Sequence, residues 1–249
     1  MDKERTIQPY LAEMIGTFLL VFIGAGAVCM NAVAAPGDKL GLLGIAVAHG
    51  VALAIAVTAT MNISGGHINP AVTIAFWVYK KIDTDKAIGY IVAQLLGGVI
   101  AGGLLVFIFT RSGGALDVGY GTPHINGLEQ LPDSGSYPRL KGIVIEIFLT
   151  FILMFAIMGT AVDPRAPRVG GFGVGLAIMI DILMAGPLVG AAMNPARAFG
   201  PGLWEAGVRM DFNYMWDQFV YWVGPIIGAI LAAGLYINYI LPPEPAHKP

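Results

Sequence analysis

Two copies of the tripeptide Asn-Pro-Ala, at Asn69-Pro70-Ala71 and Asn194-Pro195-Ala196, are the residues of this chain whose types and spacing could do chemistry. Asparagine is a preferred N-cap, and proline is a preferred first helical residue because its missing N–H would have no intrahelical partner. Each tripeptide therefore predicts a helix start. A helix N-terminus carries about half a positive charge, and an asparagine amide can donate to a passing oxygen. The alternative is that both tripeptides only cap helices.

The segments that follow the two tripeptides are too short to cross a bilayer. Residues 70 to about 79 and 195 to about 204 each hold roughly ten residues, or about 15 Å of helix. A hydrocarbon core is about 30 Å thick. Two such half-helices that meet head to head would make one crossing, with both asparagines at the midplane.

The composition is that of an integral membrane protein. Of the 249 residues, 56% are hydrophobic and only 12% are charged, which excludes an ordinary soluble domain. Six apolar stretches are long enough to span a bilayer. We therefore expect an all-α membrane protein with six transmembrane helices and two re-entrant half-helices. The predicted spans are roughly residues 8–33, 41–61, 87–109, 142–162, 169–189 and 217–241.

The sequence repeats itself, in halves at about 8–109 and 142–241. The residues around Glu13 match those around Glu146, and those around Tyr90 match those around Tyr221. Each half carries three full spans, an odd number, so the second copy must enter the membrane from the opposite side. We expect one transmembrane channel domain over 1–249, built of two inverted repeats, with a disordered tail at 242–249.

The distribution of lysine and arginine predicts an orientation. A cytoplasmic N-terminus places eight of these residues inside and five outside, which favours a multi-pass protein of the cell membrane with both termini cytoplasmic. The net charge of −2 gives no indication of a nucleic-acid partner. The single cysteine, Cys29, excludes an intramolecular disulfide and is expected to be a packing residue, and no metal site is expected.

The segments 64–73 and 193–201 resemble the paired signatures of the aquaporin, or major intrinsic protein, family. His67 stands two residues before the first asparagine, and Arg197 directly follows the second tripeptide. The resemblance covers about residues 8 to 241. It implies the aquaporin fold, a passive channel in membrane lipid, a homotetramer with one pore per subunit, and no cofactor.

The resemblance also implies a selectivity filter. Arg197 belongs by resemblance to the family's narrow outer constriction, and the other filter positions map by distance from the asparagines onto His49, Ile182 and Ala191. This set departs from the aromatic-rich filter of strict water channels and looks closer to plant tonoplast-type members. His67 is expected to line the cytoplasmic vestibule. Considered without the resemblance, a histidine such as His49 is more often a satisfied buried histidine than a pore group.

The expected function is passive passage of water and small neutral solutes, with protons and ions excluded. Glycerol channels of the family usually carry an aspartate after the arginine, whereas this chain has Ala198, which argues against glycerol as the main solute. One alternative is a facilitator mainly for ammonia, urea or glycerol. Another is an ion-coupled secondary transporter, which needs a pore carboxylate. An enzyme is not expected, because no nucleophile, metal-ligand cluster or phosphate loop is recognisable.

Three acidic residues fall inside predicted spans, where an unpaired carboxylate is costly. For Glu13 and Glu146 the expected donors are the backbone N–H groups of the loops that enter the half-helices. A proton-coupling pair is the alternative. For Asp181 we expect a buried hydrogen bond to a neighbouring helix or subunit rather than a role in conduction. The sequence does not decide whether the segment 110–141 folds over the outer mouth.

Overall fold

The computed structural model describes residues 3–110, 112–131 and 137–242, and these residues form helices and turns without a strand. Except for its first residue, the tail predicted to be disordered, 242–249, lies outside the described residues. Six of the described helices are long and apolar enough to cross a membrane. The expected fold class, six spans with two half-helices, is confirmed.

The helices follow the order expected for two repeats. The first repeat contains α1 (Lys3–Val33), α2 (Gly41–Thr60), the half-helix α3 (Pro70–Val78) and α4 (Thr84–Phe109). Between the repeats lie α5 (Gly113–Asp117), a 3-10 turn (Gly119–Gly121) and α6 (Asn126–Glu129). The second repeat contains α7 (Pro138–Ile157) with a π-helical turn (Met158–Val162), α8 (Phe172–Val189), the half-helix α9 (Pro195–Arg209), a 3-10 turn (Asn213–Asp217), and α10 (Gln218–Leu235) with a π-helical turn (Tyr236–Ile240).

The outside of the bundle is apolar. Large side chains such as Phe107 and Phe148 are 80% and 65% exposed. A surface of this kind marks contact with lipid or with another protein. Helices suit such surroundings because every interior backbone N–H and C=O is bonded within the segment. The chain is therefore an integral membrane protein.

Glycines set the closest helix crossings. A Cβ at Gly97 of α4 would overlap the backbone of α1, and a Cβ at Gly228 of α10 would overlap the backbone of α7. Between α2 and α8, a Cβ at Gly50 would meet the carbonyl oxygen of Gly175, and the reverse also holds. In lipid, where no hydrophobic force drives association, such close approach of small residues allows van der Waals packing between helices. Helices α2 and α8 therefore cross at Gly50 and Gly175.

The second half-helix is longer than predicted. We expected it to end near Trp204, but α9 continues to Arg209. The predicted end is wrong because a charged residue after an apolar run, here Glu205, is usually solvated and ends the helix. In the structure Glu205 is 1% exposed and accepts a hydrogen bond from Arg209 Nε at 2.9 Å, one turn further along. This pair stabilises the last turn of α9, and the helix ends at Met210, which has a left-handed conformation (φ 52°).

The segment between the repeats folds onto one side of the bundle. We call the side where α1 begins and α10 ends the terminal face, and the opposite side the distal face. Within the described residues 112–131, Ile125 and Leu128 are buried in the main hydrophobic core. The segment therefore does fold over the distal end of the bundle, which the sequence alone did not decide.

Asp181 lies in the middle of α8 and is 1% exposed. Its Oδ2 atom has no hydrogen-bond partner among the described residues, so the expected bond to a neighbouring helix of the same chain is not present. The side chain borders an apolar groove between α7 and α8, whose walls include Val144, Phe148 and Met184. A buried polar atom without a partner costs about 1–3 kcal/mol.

We therefore predict that Asp181→Leu raises the midpoint of thermal unfolding in detergent, by an amount that corresponds to about 1–3 kcal/mol. Asp181→Asn, which keeps the shape and a polar atom, is the matched control and should change the midpoint less. A lower midpoint for Asp181→Leu, together with loss of the oligomer on size exclusion, would contradict this prediction and would show that a second subunit supplies the missing partner.

Candidate functional site

Both half-helices begin as the tripeptides predict. Asn69 is the extended N-cap of α3, and its Oδ1 accepts from the backbone N–H of Ala71 at 2.9 Å. Asn194 is the extended N-cap of α9, and its Oδ1 accepts from Ala196 at 3.0 Å and Arg197 at 3.3 Å. The proline that follows each asparagine is the first helical residue. Each amide oxygen is thus used to cap its own helix, which leaves the amide nitrogen for other contacts.

The two amide nitrogens cross between the repeats. Asn69 Nδ2 donates to the carbonyl oxygen of Met193 at 2.8 Å, and Asn194 Nδ2 donates to the carbonyl oxygen of Ile68 at 2.9 Å. Each bond joins a cap to the residue that precedes the other cap. The two helix N-termini are therefore held head to head. Because an amide nitrogen carries two hydrogens, each asparagine keeps one donor for a further acceptor.

The residue before each asparagine has a left-handed backbone. The φ angle is 55° at Ile68 and 53° at Met193. For a side chain larger than glycine, this conformation costs about 1–3 kcal/mol and persists only where its surroundings hold it. It turns the carbonyl group towards the other repeat and the N–H group towards a carboxylate of the same repeat.

Glu13 and Glu146 are the acceptors for these N–H groups, and both are fully buried. Glu13 accepts from the N–H of His67 at 2.9 Å and of Ile68 at 2.6 Å. Glu146 accepts from the N–H of Ala192 and of Met193, both at 2.8 Å. Each carboxylate thus anchors the loop that leads into the half-helix of its own repeat.

The first repeat has further donors to its carboxylate. Ser64 Oγ donates to Glu13 Oε1 at 2.6 Å, and Gln94 Nε2 donates to Glu13 Oε2 at 2.7 Å. The described residues supply Glu146 with no side-chain donor of this kind. The two repeats therefore share one anchoring scheme, but the first is bonded more completely.

Two tyrosines complete the anchoring and were not assigned a role from the sequence. Tyr90 Oη donates to the carbonyl oxygen of Ser64 at 2.7 Å, and Tyr221 Oη donates to that of Val189 at 2.9 Å. Ser64 and Val189 are 125 residues apart, the same separation as Asn69 and Asn194. The match between the segments around Tyr90 and Tyr221 was the signal that could have revealed this pair.

On the terminal side, a narrow cavity of about 20 Å³ reaches both asparagines. Its walls are mainly apolar and include Val57 and Ile178, with His67 among its polar members. His67 Nδ1 lies 3.1 Å from Thr73 Oγ1, which fixes the ring. A volume of this size holds about one water molecule.

On the distal side, a wider cavity of about 440 Å³ is lined in part by His49, Ile182 and Arg197. Ala191 is buried next to Gly190, which also lines this cavity. Three of the four mapped filter residues thus lie on one cavity wall, and the fourth lies beside it. Among the described residues that line either cavity there is no carboxylate.

Arg197 is held by two contacts at the distal cavity, although it is only 3% exposed. Its Nη1 donates to the carbonyl oxygen of Gly121 at 2.9 Å, and its Nη2 lies 3.4 Å from His49 Nε2. His49 Nδ1 lies 2.9 Å from the carbonyl oxygen of Ile45, which lacks a proton to donate. The neutral tautomer with the proton on Nδ1 satisfies both contacts, because Nε2 then accepts from the guanidinium.

The described residues contain no group of three or more His, Cys, Asp or Glu side chains that could hold a metal ion. Cys29 is fully buried in a cluster with Val21, Ala25 and Leu105. Asp181 lines neither the terminal nor the distal cavity.

Two half-helices that meet head to head inside six membrane-spanning helices, with a cavity on each side, define a membrane channel of the aquaporin class. The sequence matches the family model described as Major intrinsic protein over residues 1–236. The chain belongs to this family.

Individual relatives agree with this assignment. The chain is 40% identical to "Aquaporin TIP4-4" of Zea mays over 253 residues, which cover 98% of this chain and 90% of the relative. It is 38% identical to "Probable aquaporin TIP3-2" of Arabidopsis thaliana, with 97% and 88% covered. The X-ray structure of the aquaglyceroporin from Plasmodium falciparum superposes with a TM-score of 0.78, at 22% identity and with 94% of this chain and 96% of that chain covered. That likeness concerns the fold.

The anchoring of α9 generates a prediction about Glu146. Glu146→Leu leaves the N–H groups of Ala192 and Met193 buried without an acceptor, at about 1–3 kcal/mol each. We expect a lower thermal midpoint by helix circular dichroism in detergent and loss of water flux after reconstitution. Glu146→Gln keeps one acceptor oxygen and should fall between that variant and the wild type.

Glu129→Leu, which replaces an exposed acid in α6, is the control for removal of a negative charge. Wild-type stability in Glu146→Leu would contradict the anchoring role.

Proposed function

We propose that the chain is a passive channel that carries water and small neutral solutes along their gradients and excludes protons and ions. The observation that supports this most strongly is the pair of crossed asparagine bonds, which holds two capped helix N-termini between the terminal and distal cavities. Each asparagine keeps one N–H for a passing oxygen. The relatives named above are called aquaporins, and the family is one of channels rather than enzymes.

The electrostatics support exclusion of cations. Each half-helix N-terminus contributes about half a positive charge at the junction. Arg197 adds a full charge at the distal cavity, and the described lining residues include no carboxylate that could offset it. Exclusion of cations by an arginine and by half-helix dipoles is already established for aquaporin-type pores. The absence of a lining carboxylate also disfavours an ion-coupled transporter, which needs a group to bind its coupling ion.

The residues His49, Ile182, Ala191 and Arg197 are proposed as the selectivity filter, and His67 as a residue of the vestibule on the terminal side. Arg197 and His49 offer polar atoms to the permeant, while Ile182 and Ala191 are apolar. The small Ala191 leaves space that an aromatic residue would fill. We infer that the pore admits some solutes larger than water, and Ala198 argues against glycerol as the main one.

The assembly and location follow from the same reasoning. A homotetramer, with lipid around it, would cover part of the exposed apolar surface of the spans. The excess of lysine and arginine on the terminal side favours a cytoplasmic terminal face and places the distal cavity outside. We propose the cell membrane as the location.

Stopped-flow light scattering on proteoliposomes tests the proposed function. One series applies an impermeant osmolyte, and parallel series apply glycerol, urea and ammonia. The proposal predicts fast shrinkage with a low activation energy, slower glycerol entry and no proton leak. Water flux equal to that of empty liposomes at verified protein content would contradict it, as would solute flux that depends on a proton or sodium gradient.

The filter gives a specific prediction. Arg197→Ala removes both the charge and the contacts to Gly121 and His49, so we expect glycerol and urea flux to rise relative to water flux and a cation leak to appear. Arg139→Ala, which removes an arginine with a 61% exposed side chain outside the pore, is the matched control. Unchanged solute ratios and no leak in folded Arg197→Ala would contradict the assigned role.

A further inference from the structure

We propose that Glu205 is a positioning residue for the selectivity filter: it holds the segment 119–124 in the place where the carbonyl group of Gly121 receives Arg197, and it thereby limits the size of the solutes that pass. This inference rests on the proposed channel function. It assigns a task to a buried carboxylate that the pore itself does not use.

Glu205 is the buried acid of the distal region, at 1% exposure. Its Oε1 accepts from Arg209 Nε at 2.9 Å, and Arg209 Nη2 in turn donates to the carbonyl oxygen of Leu116. Its Oε2 lies 3.0 Å from His124 Nε2. The carboxylate thus contacts the inter-repeat segment directly at His124, after the 3-10 turn, and through Arg209 at Leu116, before it.

The fit between Glu205 and the 3-10 turn is close. A Cβ at Gly119 would overlap all three atoms of the carboxylate group, so only glycine leaves room for it. Gly119, Tyr120 and Gly121 all have left-handed φ angles, of 55°, 52° and 82°. A run of three such residues is not self-supporting. Thr122, which donates to Gly119 through both Oγ1 at 2.6 Å and its N–H at 3.0 Å, closes the turn from the other end.

The 3-10 turn provides one of the two contacts that hold Arg197. Gly121, two residues beyond Gly119, accepts from Arg197 Nη1 at 2.9 Å. Its other side is fixed, because a Cβ at Gly121 would overlap the backbone of Ala25 in α1. If Glu205 no longer fills the space against Gly119, the turn can shift, and Arg197 keeps only its 3.4 Å contact to His49.

Arg197 and Glu205 belong to the same helix. They are eight residues apart in α9, or about 12 Å along its axis. The helix therefore carries both the filter arginine and the anchor of the turn that holds this arginine. Glu205 packs against the turn, the turn presents the carbonyl group of Gly121 to Arg197, and α9 connects Arg197 to Glu205. These contacts fix the turn and the guanidinium relative to each other.

Glu205 acts through these contacts and not on the permeant. It is absent from the lining of the distal cavity, whereas Gly121, Thr122 and His124 belong to that lining. A carboxylate that bound a passing solute would have to face the cavity. Removal of Glu205 should therefore change which solutes pass before it changes how much water passes.

The test compares Glu205→Ala, Glu205→Asp and Glu205→Gln with wild type in proteoliposomes of matched protein content. The readout is the ratio of glycerol or urea permeability to water permeability. Loss of one hydrogen bond at Arg197 is worth about a fivefold change in this ratio. We expect Glu205→Ala to raise it by about that factor and Glu205→Asp, which is one methylene shorter, to raise it less. Glu205→Gln has the same side-chain length as glutamate, and we expect it to keep the permeability ratio at the wild-type value. Glu129→Gln is the exposed control.

A purely structural role would lower both permeabilities in proportion and leave the ratio unchanged, and that result would overturn the proposal. Because Glu205→Ala could fail to fold, the comparison of Glu205→Asp with Glu205→Gln decides the question independently. An equal ratio in these two variants and wild type would also overturn it.

Hydrogen exchange separates this proposal from the proposed function, because it needs no transport. Glu205→Ala should speed exchange in a peptide that covers 119–124 and leave peptides that cover 66–72 unchanged. If the wild type carried no water but exchange changed in this way, the proposed channel function would be rejected and the positioning role of Glu205 would be supported. Normal water flux in the wild type, with unchanged exchange and an unchanged permeability ratio in Glu205→Ala, would reject only the positioning role of Glu205.

Discussion

The structure depends on the way that two helix N-termini are held inside a membrane. The first N–H groups of any helix have no intrahelical acceptor, and the bilayer core offers no water to replace one. Here Asn69 and Asn194 cap their own helices with oxygen and bind the opposite repeat with nitrogen. The amides meet this requirement without carboxylates at the junction. A positive junction that still offers N–H donors follows directly, and it suits water and not cations.

The nearest carboxylates, those of Glu13 and Glu146, lie behind the loops that lead into the half-helices. Glu13 and Glu146 bind the loop N–H groups and stabilise the left-handed residues before each cap, and they stay out of the two cavities. The repeats differ at the residue that follows the tripeptide. Arg197 has no counterpart after the first tripeptide, where Val72 stands instead, and among the described residues that line the two cavities only the distal set includes an arginine. The matched caps, carboxylates and tyrosines give the two halves one frame, and Arg197 distinguishes the second half from the first.

The sequence predicted the spans, the half-helix starts and the paired carboxylates because these depend on local composition, capping and a repeat offset. It did not predict that α9 would pass Glu205, since a charged residue after an apolar run is usually solvated. The partner that buries Glu205, the turn at Gly119, lies more than 80 residues earlier in the chain. The missing partner of Asp181 was equally out of reach, because single-chain periodicity does not show which donors another helix presents.

The most direct test of the central claim, that permeants pass the junction through the filter, is to close the distal cavity chemically. Ile182→Cys in a Cys29→Ser background places one thiol on the cavity wall, to be treated with a small methanethiosulfonate reagent before stopped-flow measurement. The account predicts that water flux falls towards that of empty liposomes and returns on reduction, while Cys29→Ser alone is insensitive. Complete modification, verified by mass spectrometry, with unchanged water flux would contradict it.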